Sequence, residues 1–435
     1  MISQAEPDKV GRWQICWIVF VATSVSIPIR LIGVLPLGEL LVSMIALFSL
    51  IDGKWRSVGF VRLIVFGTLL WLGVQVGTDF IQSIPWDDKL RGAARIVIFG
   101  LSIVGVWALI KGELARVGWF AFGTALSSFV GFYYFQPNYS DANAWKWCWG
   151  GVCTWGFVSL LCLRRVTTSV LWVTGLSILA AIHLINGARS AAGGAFAAAL
   201  IMFFSGALGR ISNAWRLVGI GAIAILTLLG YSITATSGLL GDESRAKYDG
   251  QVGRSGSFLS VLGGGRSEHR AAFRAIMDSP LIGFGSWAKH PEYIIYTMET
   301  DQGALNIDGS YNAMVDIGTI PTHSHILGAW VDGGPIAGGL WILLYVNLGI
   351  AVISQAGMSD AVGRVKIFCG VSALWVIAFS PLGAGQRLGT AFLLVVVFCV
   401  KGHACPNESW RGNPRGARRR RAGDAKTVKP VRAFD

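Results

Sequence analysis

The sequence predicts an all-α polytopic membrane protein of about twelve transmembrane helices, with a large outer-face loop of short helices between the ninth and the tenth. Three observations predict it. Hydrophobic residues make up 53% of the 435 positions and charged residues only 14%, whereas a soluble domain is about a quarter charged. Apolar runs recur along the chain at close to the length, about 20 residues, that a bilayer requires. Eighteen tryptophans suit helix ends at headgroup level, where indole prefers to sit.

The apolar runs lie near 13–29, 31–51, 60–77, 94–110, 116–134, 150–163, 166–186, 192–208, 215–234, 324–353, 363–381 and 387–401. The start, "MISQAEPDKVGRWQICWIVF", lacks a small-residue cleavage site after its first apolar stretch, so that stretch is expected to stay as a membrane helix. Lys and Arg then sort the loops. With the N-terminus inside, Lys54, Arg56, Arg62, Lys111, Arg116, Arg164, Arg165, Arg210, Arg216, Arg364 and Lys366 fall on the inner face, while outer loops carry isolated cations such as Arg30, Lys146, Arg189 and Arg387. Segment 79–95 is the exception, with Lys89, Arg91 and Arg95 offset by Asp79, Asp87 and Asp88. Both termini are expected in the cytoplasm. The chain divides into an N-terminal bundle (1–234, about nine spans), an outer cap loop (235–323), a C-terminal group of about three spans (324–401) and a basic, disordered tail (402–435).

The net charge of +13 does not point to nucleic acid. Ten of its cations lie between Lys401 and Asp435, including "RGARRRR" (415–421), the pattern of a solvated tail touching anionic lipid. The seven cysteines show no metal-binding spacing. Cys148 and Cys153, five apart on one helix, point in different directions and are expected to remain reduced.

The cap is too long for an idle connection, and its most patterned stretch is "GGGRSEHRAAFRAIMDSPLIGFGSW" (263–287). Three glycines precede a helix on which Arg266, Arg270 and Arg274 form one stripe and Phe273, Ile276 and Met277 another, facing bilayer or bundle. Arg266 stands at the Gly-rich helix start, where backbone N–H groups favour anions and a guanidinium adds bidentate phosphate geometry. Arg254, in "GRSGS", is a weaker candidate of the same kind. In "INGARSAAGGAFAAAL" (185–200), Arg189 ends a span beside a small-residue helix that packs closely. It is either a ligand contact or a snorkelling cation. Arg30, in "IPIRLIG", is a third anion contact on the same face.

Two of the six histidines fall in "GTIPTHSHILGAWVDGG" (318–334). Imidazole is the side chain matched to accepting a proton near neutrality, and a satisfied interfacial histidine is the bland alternative. A metal held by His323, His325 and Asp332 lacks a second cluster to complete it; no metal or cofactor is expected.

Together these stretches resemble the O-antigen ligase and polymerase superfamily of bacterial envelope proteins. The carriers are "GRSEHRAAFRAIMDSPLIGFGSWA" and "THSHILGAWVDGGPIAGGLW", with the likeness covering residues 180–345 at motif level and the whole chain in topology. The family histidine falls on His323, with Ser324 where Asn is commoner, and its acidic residue on Asp332. Its loop arginine falls on Arg266 and its span-end arginine on Arg189. His325 is an addition. The resemblance implies transfer of a glycan from an undecaprenyl-pyrophosphate carrier to an acceptor sugar hydroxyl at the periplasmic face of the inner membrane. In that reading His323 is the base, and Arg189 and Arg266 hold the pyrophosphate. His325, Asp332, Arg270, Arg30 and Arg254 support them, and a lipid-facing groove beside helix 190–200 takes the polyprenyl tail. Polymerisation of an O-antigen or exopolysaccharide repeat is favoured over ligation to lipid A core. The partners expected are donor and acceptor glycans, membrane lipids and envelope glycan-assembly proteins, with no nucleic acid. A repeat flippase would instead require internal repeats and mid-bilayer ionisable groups.

Overall fold

The computed structural model describes residues 10–30, 33–135, 144–238, 245, 248–249, 268–300 and 318–401. The chain divides by contacts at Val400, and of the unit Lys401–Asp435 only Lys401 is described. Among its described residues the first unit is helices and connecting loops apart from one hairpin and an isolated bridge between Lys289 and Thr319. Its elements in order are α1 (Arg12–Thr23), β1 (Pro28–Arg30), β2 (Val34–Pro36), α2 (Leu37–Asp52), α3 (Gly59–Ile81), α4 (Trp86–Ile110), α5 (Leu114–Val130), α6 (Gly150–Leu163), α7 (Ser169–Ile185), α8 (Arg189–Phe203), the short α9 (Ser205–Leu208) and α10 (Asn213–Thr236). Two cap helices follow, α11 (Glu268–Asp278) and α12 (Pro291–Thr300), and then α13 (His325–Gln355), α14 (Ala361–Phe379) and α15 (Arg387–Cys399).

Among the described residues five helices are long and apolar enough to cross a membrane: α3, α4, α10, α13 and α14. The protein is thus a helical membrane protein. Its helices differ in what surrounds them. α15 is apolar on all sides, and Ala391 to Val397 are buried without a break, which makes it the centre of the bundle. Phe392 of α15 stacks on Phe120 of α5 at 4.5 Å. α3 instead leaves Leu63, Phe66, Leu69 and Leu70 exposed, the surface a lipid-facing helix presents. Packing pairs α1 with α5, α2 with α4, α3 with α4 and α13, α7 with α8, and α14 with both α13 and α15.

The first two apolar runs are separated by structure that the periodicity does not announce. α1 stops at Thr23, and β1 and β2 pair antiparallel with Pro28 opposite Pro36 and Arg30 opposite Val34. Neither proline can donate a ladder bond, so each sits at a strand end.

Contacts between helix ends fix a two-ended molecule. At one end, Arg387 at the start of α15 binds Glu39 at the start of α2, with Nε to Oε1 at 3.1 Å and both side chains buried. At the other, Arg364 of α14 donates to Ser169 of α7 at 2.9 Å, Arg216 of α10 to the Leu208 carbonyl at 2.7 Å, and Arg116 of α5 to Glu113 at 2.8 Å. Arg387 is therefore a bundle ion pair.

Cap helix α11 divides the apolar face expected of it. Its packed face consists of Ala271, Ala272 and Ala275 with Ile276 alongside, whereas Phe273 and Met277 are exposed. Small side chains let α11 lie close against α13, and the larger apolar residues face away from the bundle. Ala288, Tyr293, Ile320, Leu327 and Val331 complete this second core. Tyr293 donates to Asp278 at 3.0 Å, and burial together with that bond pushes its phenol up to about 12, so it stays a donor.

Candidate active site

The site is built where α13 begins and where it breaks. Ser324 is the N-cap of α13: it is extended, its hydroxyl accepts the Leu327 N–H at 3.3 Å, and it donates to the Ile377 carbonyl at 3.2 Å. His323 is left outside the helix and His325 becomes its first residue.

The two histidines consequently have different surroundings. The His325 ring is 1% exposed, with Nδ1 2.6 Å from the Ser380 carbonyl, Nε2 3.2 Å from the Thr390 hydroxyl and its face 4.9 Å from Trp341. Since the carbonyl can only accept, Nδ1 carries the hydrogen, and Nε2 is the acceptor for Thr390. Both nitrogens are used inside the bundle. His323 is 26% exposed, and its Nδ1 lies 3.4 Å from the Glu268 carboxylate. Its own carbonyl accepts from His269 Nε2 at 3.0 Å, and His269 stacks on Phe379 of α14 at 5.7 Å.

At the eleventh residue of α13, Pro335 has no N–H to give the Val331 carbonyl, and Gly334 leaves helical geometry at φ 75°, ψ −167°. The break frees two carbonyls, and the turn 283–285 fills them. Phe284 N–H donates to Val331 at 2.7 Å and Gly285 N–H to Asp332 at 3.0 Å. A Cβ on Gly283 would stand 2.7 Å from both of those carbonyls, so only glycine permits the approach. The same turn is held from α3: Ser286 gives its N–H to Asp79 Oδ1 at 2.6 Å and its hydroxyl to Oδ2 at 2.8 Å, and Gln75 donates to Asp79 at 3.1 Å. Asp332 itself binds Arg95 of α4 at 2.6 Å, and Arg95 lies 5.7 Å from the Trp287 ring. Further on, His290 N–H donates to Gly318 at 2.7 Å and Ile320 N–H to Ala288 at 3.3 Å. These bonds lead the chain to His323.

The structure thus brings His323 together with the first turn of α11, and Asp332 with the turn 283–287. Arg189 begins α8 and donates to Tyr231 at 2.8 Å; no contact joins it to His323. Arg270 is exposed on α11, and Arg30 is exposed on β1. Arg254 and Arg266 lie outside the described residues. Among the described residues no three His, Cys, Asp or Glu side chains form a metal-binding group. A mostly apolar cavity of about 270 Å³ lies between α3 and α13, lined by Leu63, Gly67, Thr68, Trp71, Trp341 and Leu343. The small-residue helix α8, expected to border a groove, buries Ala195, Ala198 and Ala199.

Glu268, His269, Gln75, Asp79 and Arg95 are the residues that sequence reasoning did not single out. For Asp79 and Arg95 the signal was present, since segment 79–95 was the one that broke the alternation of loop charge. No family model, curated protein or solved structure matches the chain.

Proposed function

We propose that the chain is an inner-membrane glycosyltransferase that moves a glycan from an undecaprenyl-pyrophosphate carrier to an acceptor sugar hydroxyl at the periplasmic face, in polymerisation of an O-antigen or exopolysaccharide repeat. The observation that carries the reading is a partly exposed imidazole, His323, held 3.4 Å from a carboxylate at the entrance of an apolar helix bundle. Such a group is placed to take the proton of a hydroxyl as it attacks. Its end of the bundle lies opposite the one where Arg116, Arg216 and Arg364 are bound, and loop charge assigns that other end to the cytoplasm.

The remaining roles follow the resemblance in the sequence. Arg266 and Arg189 neutralise the pyrophosphate as it leaves, and Asp332, bound to Arg95, holds the turn that follows α11. His325 has both nitrogens occupied and belongs to the bundle. The cavity between α3 and α13 is lined by side chains that suit part of a polyprenyl tail. About twelve spans, with both termini cytoplasmic, complete the proposed topology.

Complementation of a strain lacking this chain tests the reading, with glycan gels as readout. His323→Ala, Arg189→Ala and Arg266→Ala are expected to lose glycan assembly while the proteins still reach the membrane. Full assembly by His323→Ala sinks the base assignment. Accumulation of single repeats in the parent strain identifies a polymerase, and uncapped lipid A core a ligase.

A further inference from the structure

We propose that α11 and the turn 279–287 lie within the lipid leaflet at their end of the bundle, with Phe273, Met277, Leu281 and Ile282 against phospholipid acyl chains. The depth of the turn follows from its bonds to spanning helices. Ser286 accepts from Gln75 of α3 at 3.0 Å. Gln75 stands six residues before the end of α3 at Ile81, so Ser286 sits about 9 Å inside that end at the helical rise per residue. The same side chain occupies the space a Cβ on Gly92 would take, six residues past the start of α4 at Trp86. On α13 the turn bonds Val331 and Asp332, six and seven residues past His325, and Trp330 gives its indole N–H to the Pro280 carbonyl at 3.3 Å. Three spanning helices thus hold the turn below their own ends.

What projects from this sunken segment is apolar. Leu281 is 78% exposed, Met277 76% and Phe273 58%, a contiguous row that a face meeting water rarely carries. The row continues a surface that the spanning helices already turn outward. Phe80 and Ile81 of α3 and Trp86 of α4 are exposed at the same end, and Ile336, Leu343 and Ile350 run exposed along one face of α13. Cations border it. Arg270 and Arg274 lie beside Phe273 and Met277 around α11, with Arg274 tied to Asp278 at 3.1 Å. Lys89 stands 4.1 Å from the Phe80 ring and 5.4 Å from that of Trp86. An apolar stripe flanked by cations on a short helix is the pattern of one that lies in the interface plane, acyl chains on one side and phosphates on the other.

Spin labels on the full chain, freed of its own cysteines and held in nanodiscs of phosphatidylcholine and phosphatidylglycerol, test the placement. Oxygen concentrates among acyl chains and a nickel chelate in water, so the relaxation each causes reads the depth of a nitroxide. Labels at Met277→Cys and Leu281→Cys are expected about 5–10 Å below the phosphates. Leu70→Cys on α3 should lie deeper, and Glu292→Cys on α12 should lie in water. Nickel access at 277 and 281 equal to that at 292 overturns the proposal. Shielding of both labels from both reagents overturns it too, since that is the mark of a second copy or another protein on the strip. Elution of each variant with the parent on size exclusion confirms its fold, and Phe273→Cys replaces either one that fails. The result is independent of whether the chain transfers glycan.

Discussion

His323 and His325 are one residue apart, and Ser324 separates their fates. By capping α13 with its hydroxyl, Ser324 leaves His323 on the loop side and places His325 in the first helical turn. Replacing each by alanine is expected to give opposite results. His325→Ala leaves the Ser380 carbonyl and the Thr390 hydroxyl buried without their partner, at about 1–3 kcal/mol for each group. Its thermal midpoint in detergent should fall. His323→Ala removes a partly exposed ring and should keep its midpoint while losing transfer by about 10²–10⁴-fold. Equal losses of stability in the two variants would contradict the assignment. The sequence singled out His323 because a family-like acidic residue and glycines follow it at fixed spacing. It did not reveal Glu268, which lies 55 positions earlier, because a contact between a cap helix and a loop leaves no periodic mark.

The break in α13 shows what could be read at the level of elements. Pro335 behind two glycines signals an interrupted helix, but the partner of the freed carbonyls lies in a turn some fifty residues upstream. Helix existence was legible from apolar runs, as α13 and α14 illustrate. The start of α4 at Trp86 was not, since Asp87, Asp88, Lys89 and Arg91 make its first two turns polar and read as a loop. The hairpin at 28–36 was hidden for the converse reason, because its residues are as apolar as the helices on either side. Gly334 offers the test at this scale. Its φ and ψ are accessible essentially to glycine alone, and a Cβ there would stand 3.1 Å from the Leu281 carbonyl. Gly334→Ala is expected to cost about 1–3 kcal/mol and to make the 280–290 turn more sensitive to limited proteolysis. Unchanged cleavage would show that the turn does not depend on the break.

Taken whole, the molecule sorts its polar chemistry to two ends of an apolar bundle. One end binds Arg116, Arg216 and Arg364 to a carboxylate, a carbonyl and a hydroxyl; the other gathers imidazoles and carboxylates, with Arg95 and Arg387 paired to acids among them. A chain stripped of its own cysteines and given one at Lys54 or at Ser83 should react with a membrane-impermeant maleimide from opposite sides of an oriented membrane. Labelling of both from one side would overturn the proposed topology. The tie between α3 and the cap has a further consequence, in the making of the protein. Asp79 leaves the ribosome 207 residues before Ser286, an interval of about 10–40 s at ordinary synthesis rates of about 5–20 residues per second. Throughout that interval α3 and α4 are in the membrane with Asp79 and Arg95 still awaiting the groups that will bind them. A nascent chain halted before residue 286 therefore displays unmatched charges at the lipid boundary.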